Sequence, residues 1–180
     1  MMSAQPGHSV FQIRHATAQD AAALAEFGAR TFSETFAAEN TANDMRLHLA
    51  SAWSPALQLA EIEDPELDTL LAFSSQGALA AFAQLRADYA PAAVPTERAF
   101  EIKRFYVDRP WHGSGLAREL MSAVEALARR RDARELWLGV WERNPRAQAF
   151  YRKCGFEKVG KQIFVIGTDP QTDHVMLRRL

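Results

Sequence analysis

Two glycines between a strand and a helix give the sequence its clearest chemical signal. The stretch reads Glu101-Ile102-Lys103-Arg104-Phe105-Tyr106-Val107-Asp108-Arg109-Pro110-Trp111-His112-Gly113-Ser114-Gly115-Leu116-Ala117-Arg118. Gly113 and Gly115 let backbone N–H groups approach a ligand closely. The helix that follows adds unpaired donors and a partial positive charge, a combination suited to a phosphate or pyrophosphate. The same pair also serves a purely structural turn. No Gly-Lys-Ser/Thr closes the loop, so it is not a P-loop, and the third glycine of a dinucleotide fingerprint does not fit. Other reactive residues are less organised. The single cysteine, Cys154, has no histidine in a recognisable arrangement with it, and the five histidines show no metal-ligand spacing. Glu34, Glu39 and Asp44 either bind a cation or are ordinary surface carboxylates. Phe32, Phe36 and Trp53 are core residues or a substrate wall.

These residues need elements to hold them. Phe11-Gln12-Ile13-Arg14 alternates like a short strand. Thr17 and Asp20 form an approximate capping box opening a helix over 18–38. Leu24 and Phe27 share its stripe, while Phe32 and Phe36 drift off it. Either the helix breaks near Ser33 or its second half faces something other than the core. A second helix is expected over 43–52, and Ser54-Pro55 starts a third. Apolar runs at 69–74 and 78–86 flank Ser75-Gln76-Gly77 as a hairpin. A strand over 100–107 leads into a helix with the stripe Leu116, Leu120, Val124 and Leu127. Arg129-Arg130-Arg131 then reads as cations at a helix C-terminus or as a nucleic-acid patch. A strand over 136–141 precedes a short helix capped by Asn144-Pro145 and ended by Cys154-Gly155. A last hairpin joins 161–166 to 173–177. The order gives a mixed α/β chain with one β-α-β crossover.

Composition narrows the class. The chain has 180 residues, suited to a single domain over 1–180, with residues 1–9 read as a loose tail. Lys and Arg total 21 against 22 Asp and Glu, so the basic excess of a non-specific nucleic-acid binder is missing. An apolar content of 48% argues against disorder. One cysteine excludes an internal disulfide. No apolar run reaches the ~18 residues of a membrane span, and no signal peptide is visible. A cytoplasmic protein is expected, without membrane or nucleic-acid partner; a homodimer is compatible with the sequence.

Three groups of residues together resemble the GNAT superfamily of acyl-CoA-dependent N-acetyltransferases. His112-x-x-Gly115-x-Ala117 resembles their pyrophosphate motif, departing only at the first position. Leu136-Trp137-Leu138-Gly139-Val140 follows. Asn144 is followed seven residues later by Tyr151, ahead of Gly155-Phe156, as in the family's second signature. Glu101–Val107, Trp137-Leu138-Gly139-Val140-Trp141-Glu142 and Gln171-Thr172-Asp173 further resemble bacterial spermidine/spermine N-acetyltransferases of the Pai type. Thr31–Phe36 does so more faintly.

The resemblance implies a GNAT-type three-layer fold of the α/β (α+β) class, with a central mixed, mostly antiparallel sheet and helices on both faces. It implies transfer of acetyl from acetyl-CoA, as cosubstrate and with no metal, to a primary amine of a small molecule, a polyamine such as spermidine or spermine first. The alternatives are a protein N-terminal or lysine acetyltransferase and a non-catalytic acyl-CoA-binding regulatory domain. It implies a cofactor site of Phe105, Tyr106, Val107, Gly113, Ser114, Gly115, Leu116, Ala117, Arg118 and Asn144. Strands that splay apart would leave backbone groups for the pantetheine arm. Tyr151 would be the general acid for the leaving thiolate. Glu101 would be the base, placed by alternation on the same face as Phe105 and Val107, acting directly or through water; the other reading is a strand carboxylate paired with Lys103 or an arginine. Glu34 and Phe36 would contact the acceptor.

Overall fold

A computed structural model describes residues 11–87, 90–94 and 98–180; the tail read at 1–9 lies outside them. The chain runs β1 (Phe11–His15), α1 (Ala21–Phe36), α2 (Ala42–Ala52), α3 (Pro55–Glu63), β2 (Leu67–Ser74), β3 (Leu79–Arg86) and β4 (Ala99–Val107). It continues through α4 (Leu116–Arg130), β5 (Glu135–Trp141), α5 (Pro145–Lys153), β6 (Glu157–Ile166) and β7 (Asp169–Arg179). Among the described residues these strands form one seven-stranded sheet ordered β1-β2-β3-β4-β5-β7-β6. Only β4 and β5 run parallel, so the sheet is mixed and mostly antiparallel, as expected.

Local sequence accounts for most boundaries. The Thr17 amide donates to Asp20 at 2.8 Å, completing one half of the capping box, and Arg14 holds the same carboxylate. Ser54 caps α3 by accepting from the Leu57 amide at 3.2 Å, with Pro55 at the first helical position. The stripe of α4 is fully buried against the sheet, Leu116, Leu120, Val124 and Leu127 packing with Phe100, Ile102, Leu136 and Leu138. The opposite face carries α1, α2 and α3, where Leu24, Phe27, Phe32 and Trp53 pack on Leu71 and Phe82. Helices therefore cover both faces. The arginine run ends α4, and Arg131 ties to Asp68 at 2.6 Å, a structural use of the charge.

Helix α1 does not break at Ser33; it reaches Phe36 and closes in a 3-10 turn over Ala37–Glu39. Phe32 is buried in the core, whereas Phe36 leans on Trp141 at the end of β5. The off-stripe half of the helix thus divides between core and cleft.

Candidate active site

Strands β4 and β5 are neighbours for three residue pairs only, Ala99–Glu101 against Glu135–Trp137. Beyond them β4 stays with β3 as far as Val107, and β5 stays with β7 as far as Trp141. The two strands part, and a cleft of about 990 Å³ opens between them. Phe105, Tyr106 and Val107 line one bank, Gly139, Val140 and Trp141 the other. A separated strand pair offers backbone donors and acceptors to an extended ligand, as a sheet edge does to an added strand. On the β4 bank one group is already engaged: the His112 ring Nε2 meets the Val107 carbonyl at 2.8 Å.

The glycine loop closes one end of the cleft. Gly113 and Gly115 adopt φ of +82° and +95°, the left-handed region, and a Cβ at either would meet nothing within 4 Å. The space over them is open to a ligand. The amides alternate in their use. Ser114 N donates to the Trp111 carbonyl at 3.3 Å, and Leu116 N faces the Ser114 hydroxyl at 3.3 Å. Arg118 N turns back to the Gly115 carbonyl at 2.9 Å. Gly113, Gly115 and Ala117 line the cleft, whereas Ser114 and Leu116 do not. Those two residues, expected in the cofactor site, build the turn that shapes the loop. The Ser114 hydroxyl bonds the Trp111 carbonyl at 2.7 Å, and the Leu116 side chain is fully buried. Arg118 in the first turn of α4 adds positive charge at this end, and Arg146 and Lys153 of α5 also line the cleft, so an anionic group fits here.

Helix α5 brings the next pair. Asn144 caps it, its side-chain oxygen accepting from the Ala147 amide at 3.0 Å while the residue borders the cleft. Tyr151 lies in the last turn of α5, 8% exposed, among the rings of Phe105, Phe150 and Phe156. Burial pushes its phenol well above its ordinary value, so it keeps its proton at any physiological pH. Cys154 also borders the cleft, and burial raises its thiol. A protonated thiol is a poor nucleophile.

Glu101 is placed differently from the alternation. The pairing of β3 with β4 slips between Gln84 and Leu85, so Lys103 is an extra residue on β4. A bulge inverts the alternation beyond it. Phe100, Ile102, Phe105 and Val107 all pack on the α4 side of the sheet. Glu101 therefore lies on the face opposite Phe105 and Val107, and it does not line the cleft. It pairs with Arg86 at 2.5 Å, its carboxylate 11% exposed. Burial raises its pKa, and the Arg86 charge opposes the rise. Lys103 and Arg104 both reach Glu61 on α3.

On that opposite face the cleft meets α1. Phe36 and Trp141 stack obliquely with ring centres 5.5 Å apart. Glu34 lines the cleft but faces Arg30 at 3.1 Å and Arg109 at 3.5 Å. Glu39 faces Arg143 at 3.6 Å. Asp44 is buried and accepts from the Thr168 amide and hydroxyl at 2.7 and 2.8 Å, fixing the β6–β7 turn. Asp173 on β7 is a buried carboxylate that the sequence reading did not single out as a site. It pairs in register with Trp141 and Gln162. A Cβ on Gly139 would fall 3.0 Å from Asp173 Oδ2 and 2.5 Å from Gln162 Nε2. Burial and the nearby Glu142 push Asp173 up to about 6. The readable signal was an Asp on the same strand face as buried Val175.

Among the described residues no group of three His, Cys, Asp or Glu is placed to hold a metal ion. No helix is long and apolar enough to cross a membrane.

The sequence profile of the acetyltransferase (GNAT) family matches residues 25–156. An uncharacterised N-acetyltransferase of Mycobacterium tuberculosis is 34% identical over 166 residues, 89% of this chain and 98% of that protein. An aminoglycoside N(6')-acetyltransferase type 1 of Stenotrophomonas maltophilia is 31% identical over 156 residues, 84% of this chain and 90% of that one. In three dimensions the PaiA N-acetyltransferase of Thermoplasma acidophilum, solved in complex with coenzyme A, superposes with a TM-score of 0.75 at 20% identity. That match covers 94% of this chain and 99% of the other.

Proposed function

We propose a small polycation as the acceptor of this chain, which belongs to the acetyltransferase (GNAT) family and is an acetyl-CoA-dependent N-acetyltransferase. The reaction moves acetyl from the thioester to a primary amine, and spermidine or spermine is the leading acceptor. The observation that carries the reading is the cleft itself. One end offers glycine amides and cations, the middle offers two parted strands, and the far side offers aromatic rings and one carboxylate, Glu34. The resemblance to Pai-type sequences supports a polyamine. The relative acting on aminoglycosides supports the wider class of small molecules with several amines.

Each cleft residue then has work to do. The amides of Gly113, Gly115 and Ala117 receive the pyrophosphate, and Arg118, Arg146 and Lys153 add charge for the phosphates. The pantetheine arm lies between the banks of β4 and β5, beside Asn144. Tyr151 gives its proton to the departing thiolate. The amine poses the other proton problem. An alkyl ammonium near pKa 10.4 loses its proton at pH 7 at a cost of about 4.6 kcal/mol. A base removes that cost from the reacting encounter. Glu101, behind β4 and paired with Arg86, reaches the acceptor only through a relay.

Coenzyme A thiol release, followed with spermidine, a monoamine, an aminoglycoside and a lysine peptide at low and high salt, tests the assignment. Spermidine should exceed the monoamine in kcat/KM by tenfold or more at low salt, with the advantage shrinking as salt screens its distant charges. A peptide that wins, or equal rates for spermidine and monoamine, overturns the polycation reading. Acetyl-CoA binding without turnover on any amine would make the chain a sensor.

A further inference from the structure

We propose that Asp173 is the general base that takes the proton from the acceptor ammonium, through the gap left by the missing side chain of Gly139. The proposal rests on the amine-acetylation reading above.

The geometry is specific. Asp173 and Gln162 occupy the space above Gly139 where any other residue would place its Cβ. Gly139 borders the cleft at the start of the β5 bank, where the strands have just parted. Asp173 is 8% exposed, and no donor among the described residues bonds its carboxylate. An unpaired buried carboxylate is costly, and it stands on the face where Phe36, Trp141 and Tyr106 meet the cleft. Glu142, just past the end of β5 and paired with Lys161 of β6, and Tyr106 from β4 are the titratable groups around it. Arg104, the cation beside Tyr106, is held by Glu61 of α3. Asp173 thus has no cationic partner to keep it a weak base. Glu101 has one; neither carboxylate lines the cleft wall itself, and Asp173 stands behind it at Gly139.

The proton accounting closes. The acceptor arrives as R–NH3+, and Asp173 takes one proton to become a neutral acid. The nitrogen lone pair forms the C–N bond to the acetyl carbon, and the C–S bond breaks with its electron pair on sulfur. Tyr151 protonates the sulfur. The second nitrogen proton leaves to solvent, which restores Tyr151, and Asp173 returns its own to solvent. The products are the amide, the thiol and one released proton.

The test is Asp173→Asn. At pH 7 kcat/KM for the amine should fall about 10²-fold, with acetyl-CoA affinity within threefold of wild type. The wild-type profile should lose activity below about pH 6, the variant should lack that limb, and its deficit should shrink in alkaline buffer. A carbon-detected NMR titration of the ligand-free protein should place the Asp173 carboxyl near 6. Near-normal turnover in the variant, an NMR midpoint near 4, or a limb that persists in Asp173→Asn and vanishes in Glu101→Gln would each overturn the proposal. Should Asp173→Asn not fold, Gly139→Ala replaces it, since its Cβ would shield the carboxylate. A tenfold or greater fall in kcat with unchanged acetyl-CoA affinity supports the proposal, and unchanged kcat overturns it. A wild type that acetylates no amine overturns both this proposal and the acceptor reading. Turnover that survives in Asp173→Asn overturns this one alone.

Discussion

The two ends of the cleft are made of different materials. At the α4 end, the cleft is lined by peptide groups within a few residues, Gly113, Gly115 and Ala117, together with the helix terminus behind them. At the α1 end the cleft is walled by side chains far apart in sequence, Phe36, Tyr106 and Trp141, with Asp173 behind them. The first end depends on backbone torsion, which a short motif specifies. The second depends on four elements arriving at one place, which a short motif cannot specify. The contrast explains why a cofactor end can be shared across a family while the acceptor differs. It also separates what substitutions should do at each end.

The largest effect is expected at the backbone end. Gly115→Val forces a β-branched side chain into φ near +95° and fills the open space over the loop. Acetyl-CoA affinity, measured by calorimetry on protein with a normal melting transition, should fall by a thousandfold or so, about 4 kcal/mol. Acceptor binding should change little. Unchanged acetyl-CoA affinity would erase the contrast, because the loop would then be only a turn.

A smaller effect is expected where the two ends meet. Tyr151→Phe removes one hydroxyl from a ring packed between Phe105, Phe150 and Phe156. With kcat down about 10²-fold, about 2.7 kcal/mol, and both binding constants steady, the phenol acts on the leaving sulfur alone. A rise in KM for acetyl-CoA with steady kcat would make it part of the binding wall.

The sequence was legible where local chemistry decides. The Thr17–Asp20 cap, the Ser54-Pro55 start, the α4 stripe and the Asn144 cap all stand where spacing placed them. The glycine loop was legible for the same reason, but not its alternation, since the Ser114 hydroxyl closes its own turn. Glu101 was misplaced by alternation because β4 carries a bulge at Lys103. A signal existed: Lys103-Arg104 puts two charges in succession inside an otherwise alternating strand. Both charges are drawn to Glu61 on α3, a contact with no counterpart in the local pattern. Glu34, Glu39 and Asp44 were legible as acids but not as partners of Arg30, Arg109, Arg143 and Thr168. Nothing near Asp173 in sequence reveals that Gly139 leaves room for its carboxylate.

The smallest effect concerns the stability of the side-chain end. Asp173 moves from an ordinary 3.8 to about 6 on folding, so the folded chain holds this proton more tightly than the unfolded chain does. Below the ordinary value both states are protonated, and the residue costs nothing on this account. Between the two values the unfolded state binds fewer protons, and stability falls as pH rises. Above about 6 the full cost is present, with a ceiling of roughly 3 kcal/mol. Asp173→Asn removes that charge but leaves a buried amide short of partners, which offsets part of the gain. The variant should therefore be more stable than wild type by roughly 1–2 kcal/mol at pH 8 in urea titrations, and the difference should vanish or reverse near pH 3.5. Shifts of the other titrating groups cancel in the comparison, because they are common to both chains. A variant that gains stability while losing turnover marks a carboxylate kept for chemistry at the expense of the fold. Equal stability at both pH values would mean that Asp173 is solvated, and the side-chain end would then owe its acceptor preference to the aromatic residues alone.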